Sequence, residues 1–264
     1  MATESVESAP APRSILDDLR ASVRTERRLV TAEIEAFGAF LDRVESITPA
    51  RPTPTPTVKG GGYEHGRSGG GLDAIRPAYE RTVMSCDHYD EAYGDTYAES
   101  VTAEFGPEVA TLLVEGSRFQ PHLKRALIER ARTCRDDREH LLDMVVMESE
   151  SINEVAAEFR AIETELREFE SCPDPDAAGS YGALEAEWRR LGVLAEQVEE
   201  LSATRQRAII AQRRRFRLPT DAPDMPVYLY QSFGDTYPLL SSFVRLQERI
   251  RDRRSERERA LARA

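Results

Sequence analysis

From Ala131 to Phe169, apolar residues recur at alternating steps of three and four. One register reads Ala131, Arg138, Val145, Ile152, Phe159, Leu166, and the other Cys134, Leu141, Glu148, Val155, Ile162, Phe169. Ten of these twelve positions are apolar, the pattern of a helix packed lengthwise on another helix. Arg138 and Glu148 are its two polar interruptions. Polar seam residues either fix the register of a helix pair, at some cost in stability, or snorkel to its edge. Both readings stay open at the sequence level.

Pro121 suits the first turn of this helix, and the prolines and glycine of SCPDPDAAGS end it near residue 170. Tyr181, Leu184, Trp188, Leu191, Ala195 and Val198 then repeat the three-four spacing. So short a connection predicts an antiparallel, coiled-coil-like hairpin of about 121–170 and 181–215. Its expected seam comprises Leu141, Val145, Ile152, Val155, Phe159, Ile162, Leu166, Trp188 and Leu191. A first amphipathic helix is expected over 15–47, with Ser14 as N-cap. Residues 49–72 hold four prolines and seven glycines and read as a flexible linker tethering it. Short helices over 72–116 and a last one over 237–254 should pack near the ends of the hairpin, beside its apolar stripe. VYLY (227–230) has strand propensity, but no partner strand is evident, so a helical or irregular segment is preferred.

The fold class expected is therefore all-α. Its divisions are an N-terminal helix (1–48), a linker (49–72), a hairpin domain (73–255) and a charged tail (256–264). Tyr89, Tyr93, Phe105, Tyr228, Tyr230 and Tyr237 are expected to share a small aromatic core. Tyr93-Gly-Asp-Thr-Tyr97 echoes Phe233-Gly-Asp-Thr-Tyr237, two similar corners in which Asp or Thr starts a helix.

No stretch approaches the roughly 20 apolar residues of a membrane span. The opening MATESVESAPAPRS has no basic and apolar signal pattern, so a cytoplasmic protein is expected. Gly66-Arg67-Ser68-Gly69-Gly70 matches the G-x-S-x-G pattern without the strand and helix that a strained nucleophile needs. The histidines His65, His88, His122 and His140 are scattered, and a helical di-iron site would need two Glu-x-x-His pairs. Cys86, Cys134 and Cys172 lack zinc-ligand spacing. No catalytic residue, metal ligand or cofactor is assigned.

Of 36 basic residues only Lys59 and Lys124 are lysine, against 47 acids and a net charge of −11. Lysine depletion with acidic excess suits a salt-rich cytoplasm, where screening shortens the Debye length to about 3 Å. The arginines also cluster: Arg205, Arg207, Arg213, Arg214, Arg215 and Arg217 stand in an acid-free stretch. Such a patch can contact nucleic acid. Folding the hairpin about residue 175 instead sets it opposite Asp136, Asp137, Glu139 and Asp143, an internal charge ladder, which is the preferred reading.

The stretches RTVMSCDHYDEAYGDTYAESVTAEFGPEV and YLYQSFGDTYPLLSSFVRLQERIRDRR resemble an uncharacterised haloarchaeal helical family of unknown function, over about residues 72–255. Tyr89, Tyr93-Gly94, Glu104 to Glu108, Tyr228 to Tyr230 and Tyr237-Pro238 carry the similarity. It implies a helical fold and a haloarchaeal source, and assigns no active residue or cofactor. The function expected is a non-enzymatic scaffold that associates with a protein partner or with itself through helices. A nucleic-acid-binding regulator is the alternative, and an enzyme without a recognisable motif the third reading.

Overall fold

The computed structural model describes residues 14–50, 71–171 and 181–263. The Gly66–Gly70 match, His65, Cys172 and most of the expected linker and turn lie outside them. The described residues are all helix, turn and coil, with no strand. The helices are α1 (Ile15–Ser46), α2 (Leu72–Glu80), α3 (Tyr89–Ala92), α4 (Tyr97–Phe105), α5 (Pro107–Val114), α6 (Pro121–Ser171), α7 (Tyr181–Arg215), α8 (Met225–Leu229) and α9 (Pro238–Leu261). VYLY thus falls on α8 and its C-cap.

The chain forms two compact units, one of residues 27–143 and the other of the segments up to 26 and from 144 on. The second unit is built on the C-terminal part of α6. There α7 runs antiparallel to α6, as Arg190 to Glu165 (2.6 Å) and Gln212 Nε2 to the Met144 carbonyl (2.7 Å) record. Nine of the twelve seam positions on α6 are buried; Leu141, Arg138 and Phe169 are half-buried. Leu191 is buried and Trp188 half-buried on the facing side.

The last helix, α9, reaches the turn end of the hairpin, where Arg249 pairs with Glu170 (2.7 Å), and extends from there. It lies along α7, antiparallel, from Gln247 on Glu199 (3.3 Å) to Arg253 on Glu187 (3.2 Å). Its buried stripe, Leu239, Phe243, Leu246, Ile250, Arg257 and Ala260, also carries the helix into the stretch read as a charged tail. The start of α1 docks on α6 through Arg20 to Asn153 (2.6 Å) and Asp17 to Arg160 (3.0 Å), burying Leu16, Leu19 and Val23. The N-terminal stripe is therefore covered by its own chain.

The unit of residues 27–143 packs the rest of α1 with α2–α5 and the start of α6. Phe40 is at its centre, edge-on to Tyr79 (5.2 Å) and stacked on Phe105 (5.8 Å). Tyr79 and Tyr89 both bond the Ser100 hydroxyl. The expected aromatic core is thus divided: Tyr89 and Phe105 belong here, Tyr230 and Tyr237 to the other unit. Thr96 and Glu99 close a reciprocal capping box on α4, as their spacing predicts. The second corner differs: Pro238 opens α9, Tyr237 stands at its N-cap without a side-chain cap, and Asp235 pairs with Arg245. Lys124, from α6, donates to the Glu45 and Ile47 carbonyls and closes the C-terminus of α1.

At the end of α7, Leu218 N–H bonds the Arg213 carbonyl (3.1 Å) and Arg217 N–H the Arg214 carbonyl (3.3 Å). This is a Schellman closure, with Arg217 left-handed at φ 49°. An L side chain is disfavoured there, so Arg217→Gly should raise stability by about 0.5–1 kcal/mol. A urea titration with unchanged slope checks it.

Candidate functional site

Both polar interruptions of the α6 seam become the centres of ion-pair networks, one in each unit. In the unit of residues 27–143, Arg138 Nε donates to Glu33 Oε2 (3.0 Å) and its NH2 to Glu104 Oε1 (2.6 Å). Glu33 Oε1 is shared by His88 Nε2 and the Tyr93 hydroxyl, each at 3.0 Å. The guanidinium also rests on the Phe37 ring, 4.8 Å from its centroid. Glu33 comes from α1, His88 and Tyr93 flank α3, Glu104 ends α4, and Arg138 belongs to α6.

A cavity of about 80 Å³ opens beside this network, walled by Phe37, Val83, Cys86, Tyr89, Ala103 and the charged groups. Burial works against the Arg138 charge, but Glu104 and Glu33 outweigh it and raise its pKa. Burial pushes the Cys86 thiol up, and with Glu104 holds Cys134 at about 12, so both thiols stay protonated and weakly nucleophilic near neutrality. The network can bind and position; its acceptors and donors are largely spent on one another.

In the other unit, Arg205 of α7 is 2% exposed and Glu148 of α6 is 1% exposed. Their charges meet at 2.5 Å, Arg205 NH1 donates to Ser151 Oγ (2.7 Å), and the Tyr230 hydroxyl donates to Glu148 (2.8 Å). A groove of about 320 Å³ lies over this pair, with Met147, Glu150, Glu154, Ala208 and Gln212 around it. Burial, then Glu148, pushes the Tyr230 phenol above its ordinary value, and burial takes Tyr97 to about 12.

An unfolded chain ionises these phenols near pH 10, whereas the folded chain keeps them neutral. Their contribution is whole below about pH 10 and is lost as pH rises through the folded values. Melting temperature should fall from about pH 10 upward, with delayed growth of the tyrosinate absorbance band. A melting temperature level to about pH 12 would contradict it.

The arginine cluster divides. Arg205 is the buried partner just described. Arg213 clamps the loop after α7, donating to Asp224 (2.5 Å) and to the Ala222 and Pro219 carbonyls. Arg207 pairs on the surface with Glu200. Arg214, Arg215 and Arg217 are exposed, and none has an ion pair among the described residues. Asp136 and Glu139 pair with Arg135 on their own helix. His122 and His140 are exposed. No group of three or more metal-ligating side chains occurs among the described residues. No described helix is long and apolar enough to cross a membrane.

The Arg205 role had a signal in the sequence. Leu184, Leu191, Val198, Arg205 and Gln212 recur every seventh residue, and all five are buried. Glu33 and Glu104 had none, because they lie 105 and 34 residues from Arg138.

Compared with known proteins, residues 14–254 match a family described as a domain of unknown function, DUF7260. The chain belongs to this family, and the match takes in the first helix as well as the stretch from 72 onward. No curated protein matches the chain, and no solved structure does.

Proposed function

We propose that this DUF7260 member is a non-enzymatic interaction scaffold that engages a helical protein partner along the outer face of α7. The observation that carries the reading is Ile210, 49% exposed on a helix whose other face is buried throughout. Ile210 lies seven residues after half-buried Ala203, and exposed Val193 (43%), Arg207 and Arg214 continue the interleaved register. That is a second, outward seam of mixed apolar and charged residues, the form that accepts a helix from outside. The two ion-pair centres support the same reading, since their charges hold helices to one another.

The test is a photoreactive residue placed at position 210, with one at exposed Glu248 as control. A discrete protein adduct from 210 alone is expected; none, or equal adducts from both, overturns the reading. A nucleic-acid adduct would favour the alternative, for which the exposed Arg214, Arg215 and Arg217 speak. Against it, cations in the last turn of a helix already interact favourably with the helix dipole. Phosphate contacts also weaken steeply in high salt.

The setting we propose is the cytoplasm of a halophilic archaeon. Residues 135–170 hold 12 acids against four arginines. Melting temperature should therefore rise between about 0.1 and 2 M KCl, as the Debye length falls from about 10 Å to below 3 Å. A flat or falling curve would leave codon composition as the reason for the missing lysines.

A further inference from the structure

The strongest physical anomaly outside both ion-pair centres is Arg257, near the end of α9. It is 0% exposed, and its NH1 and NH2 meet no acceptor among the described residues. Glu187 Oε1 stands 2.7 Å from its Nε but off the N–H direction, so charge is met without a hydrogen bond. The same carboxylate oxygen takes Arg253 Nε at 3.2 Å. Arg254 Nε, three residues earlier on α9, and Trp188 Nε1, next to Glu187 on α7, are also buried without an acceptor, and the Arg254 guanidinium lies 4.3 Å from the Trp188 ring centroid. The unmet groups of these three residues are donors; Gln197 Oε1 and Gln247 Oε1, unmet acceptors, lie further along the same two helices. What this stretch of the α7–α9 seam lacks is acceptor capacity.

A buried, incompletely paired guanidinium is costly, and an apolar residue of similar volume would pack in its place at no such cost. Unsatisfied buried groups in a native fold call for a cause, and an ion is one of the few available. A guanidinium edge presents two parallel N–H groups that match two oxygens of a phosphate or carboxylate. Indole and Arg254 N–H groups add donors that a tetrahedral anion, with more oxygens than a carboxylate, can accept.

We propose that Arg257, Arg254 and Trp188 form a buried receptor for a tetrahedral oxyanion at the α7–α9 seam. The site binds the anion and orders this end of the bundle around it. It is independent of the outer α7 face, and either can fail without the other.

The experiment titrates the full chain with inorganic phosphate in KCl at constant ionic strength, followed by calorimetry and phosphorus NMR. Saturable binding of one phosphate per chain is expected, weakened at least about tenfold in Arg257→Met and Arg257→Lys, the loss of a charged hydrogen bond. Phosphate also stabilises proteins generally, so melting is read as the difference between wild type and Arg257→Met. Arg257→Met should melt higher than wild type in KCl alone and lose the phosphate-specific increment. Absence of saturable binding by the wild type overturns the proposal, whether or not the variants fold. So does binding by both variants as tight as that of the wild type.

Discussion

Arg205→Ala should destabilise the chain by about 3–5 kcal/mol, because it strands the Glu148 carboxylate in a site 1% exposed. Among the described residues the Tyr230 hydroxyl would remain as its hydrogen-bond donor, and it carries no positive charge. The triple replacement Glu148→Leu, Arg205→Met, Tyr230→Phe removes every member that would be left unpaired except the Ser151 hydroxyl. It should be neutral or stabilising by about 1–4 kcal/mol, since the cost of dehydrating both charges disappears with them. Urea midpoints with a common slope measure both variants. A triple variant as unstable as Arg205→Ala would mean that packing, and not the charge pair, holds this seam.

Phe40→Ala should cost a similar amount, about 3–5 kcal/mol, by opening a cavity in the unit of residues 27–143. Phe40 is 0% exposed and touches two other rings, Tyr79 and Phe105, so the site has little freedom to collapse. Near-ultraviolet circular dichroism should report loss of the tyrosine signal as this core loosens, and urea unfolding gives the magnitude. A cost below about 1 kcal/mol would show that the aromatic cluster is malleable, contrary to its edge-on and stacked geometry.

Much of the helical framework was legible in the chain because helix boundaries are set locally. Pro121 opens α6, the Thr96–Glu99 box starts α4, and the seven-residue repeat of α6 declares its buried face. The exceptions have physical causes. Phe40 falls beside the stripe of α1 formed by Phe37, Leu41 and Val44, and is buried because rings from α2 and α4 reach around to it. The last helix outruns its expected end because Arg257 and Ala260 face inward, which charge counting along the tail conceals.

The arginines of 205–217 show the same lesson most clearly. Adjacent in sequence, they suggest one patch; at 100° per residue they point to different environments. One is buried beneath a groove, one ties a loop, one makes a surface pair and three remain outside. Position in the heptad, counted from Leu184, separates Arg205 from the others. Partners such as Glu33 for Arg138 depend on tertiary packing of helices far apart in the chain, which no local pattern encodes.

The buried charges of this chain hold its helices together, and the outer face of α7 is the surface for which we propose a function. The most direct measurement places the photoreactive residue at position 210 in the Glu148→Leu, Arg205→Met, Tyr230→Phe background. The same protein adduct is expected, in the same yield, as in the wild-type background. Loss of the adduct while helicity and melting temperature are retained would contradict it, and would assign the polar centre a part in the function itself.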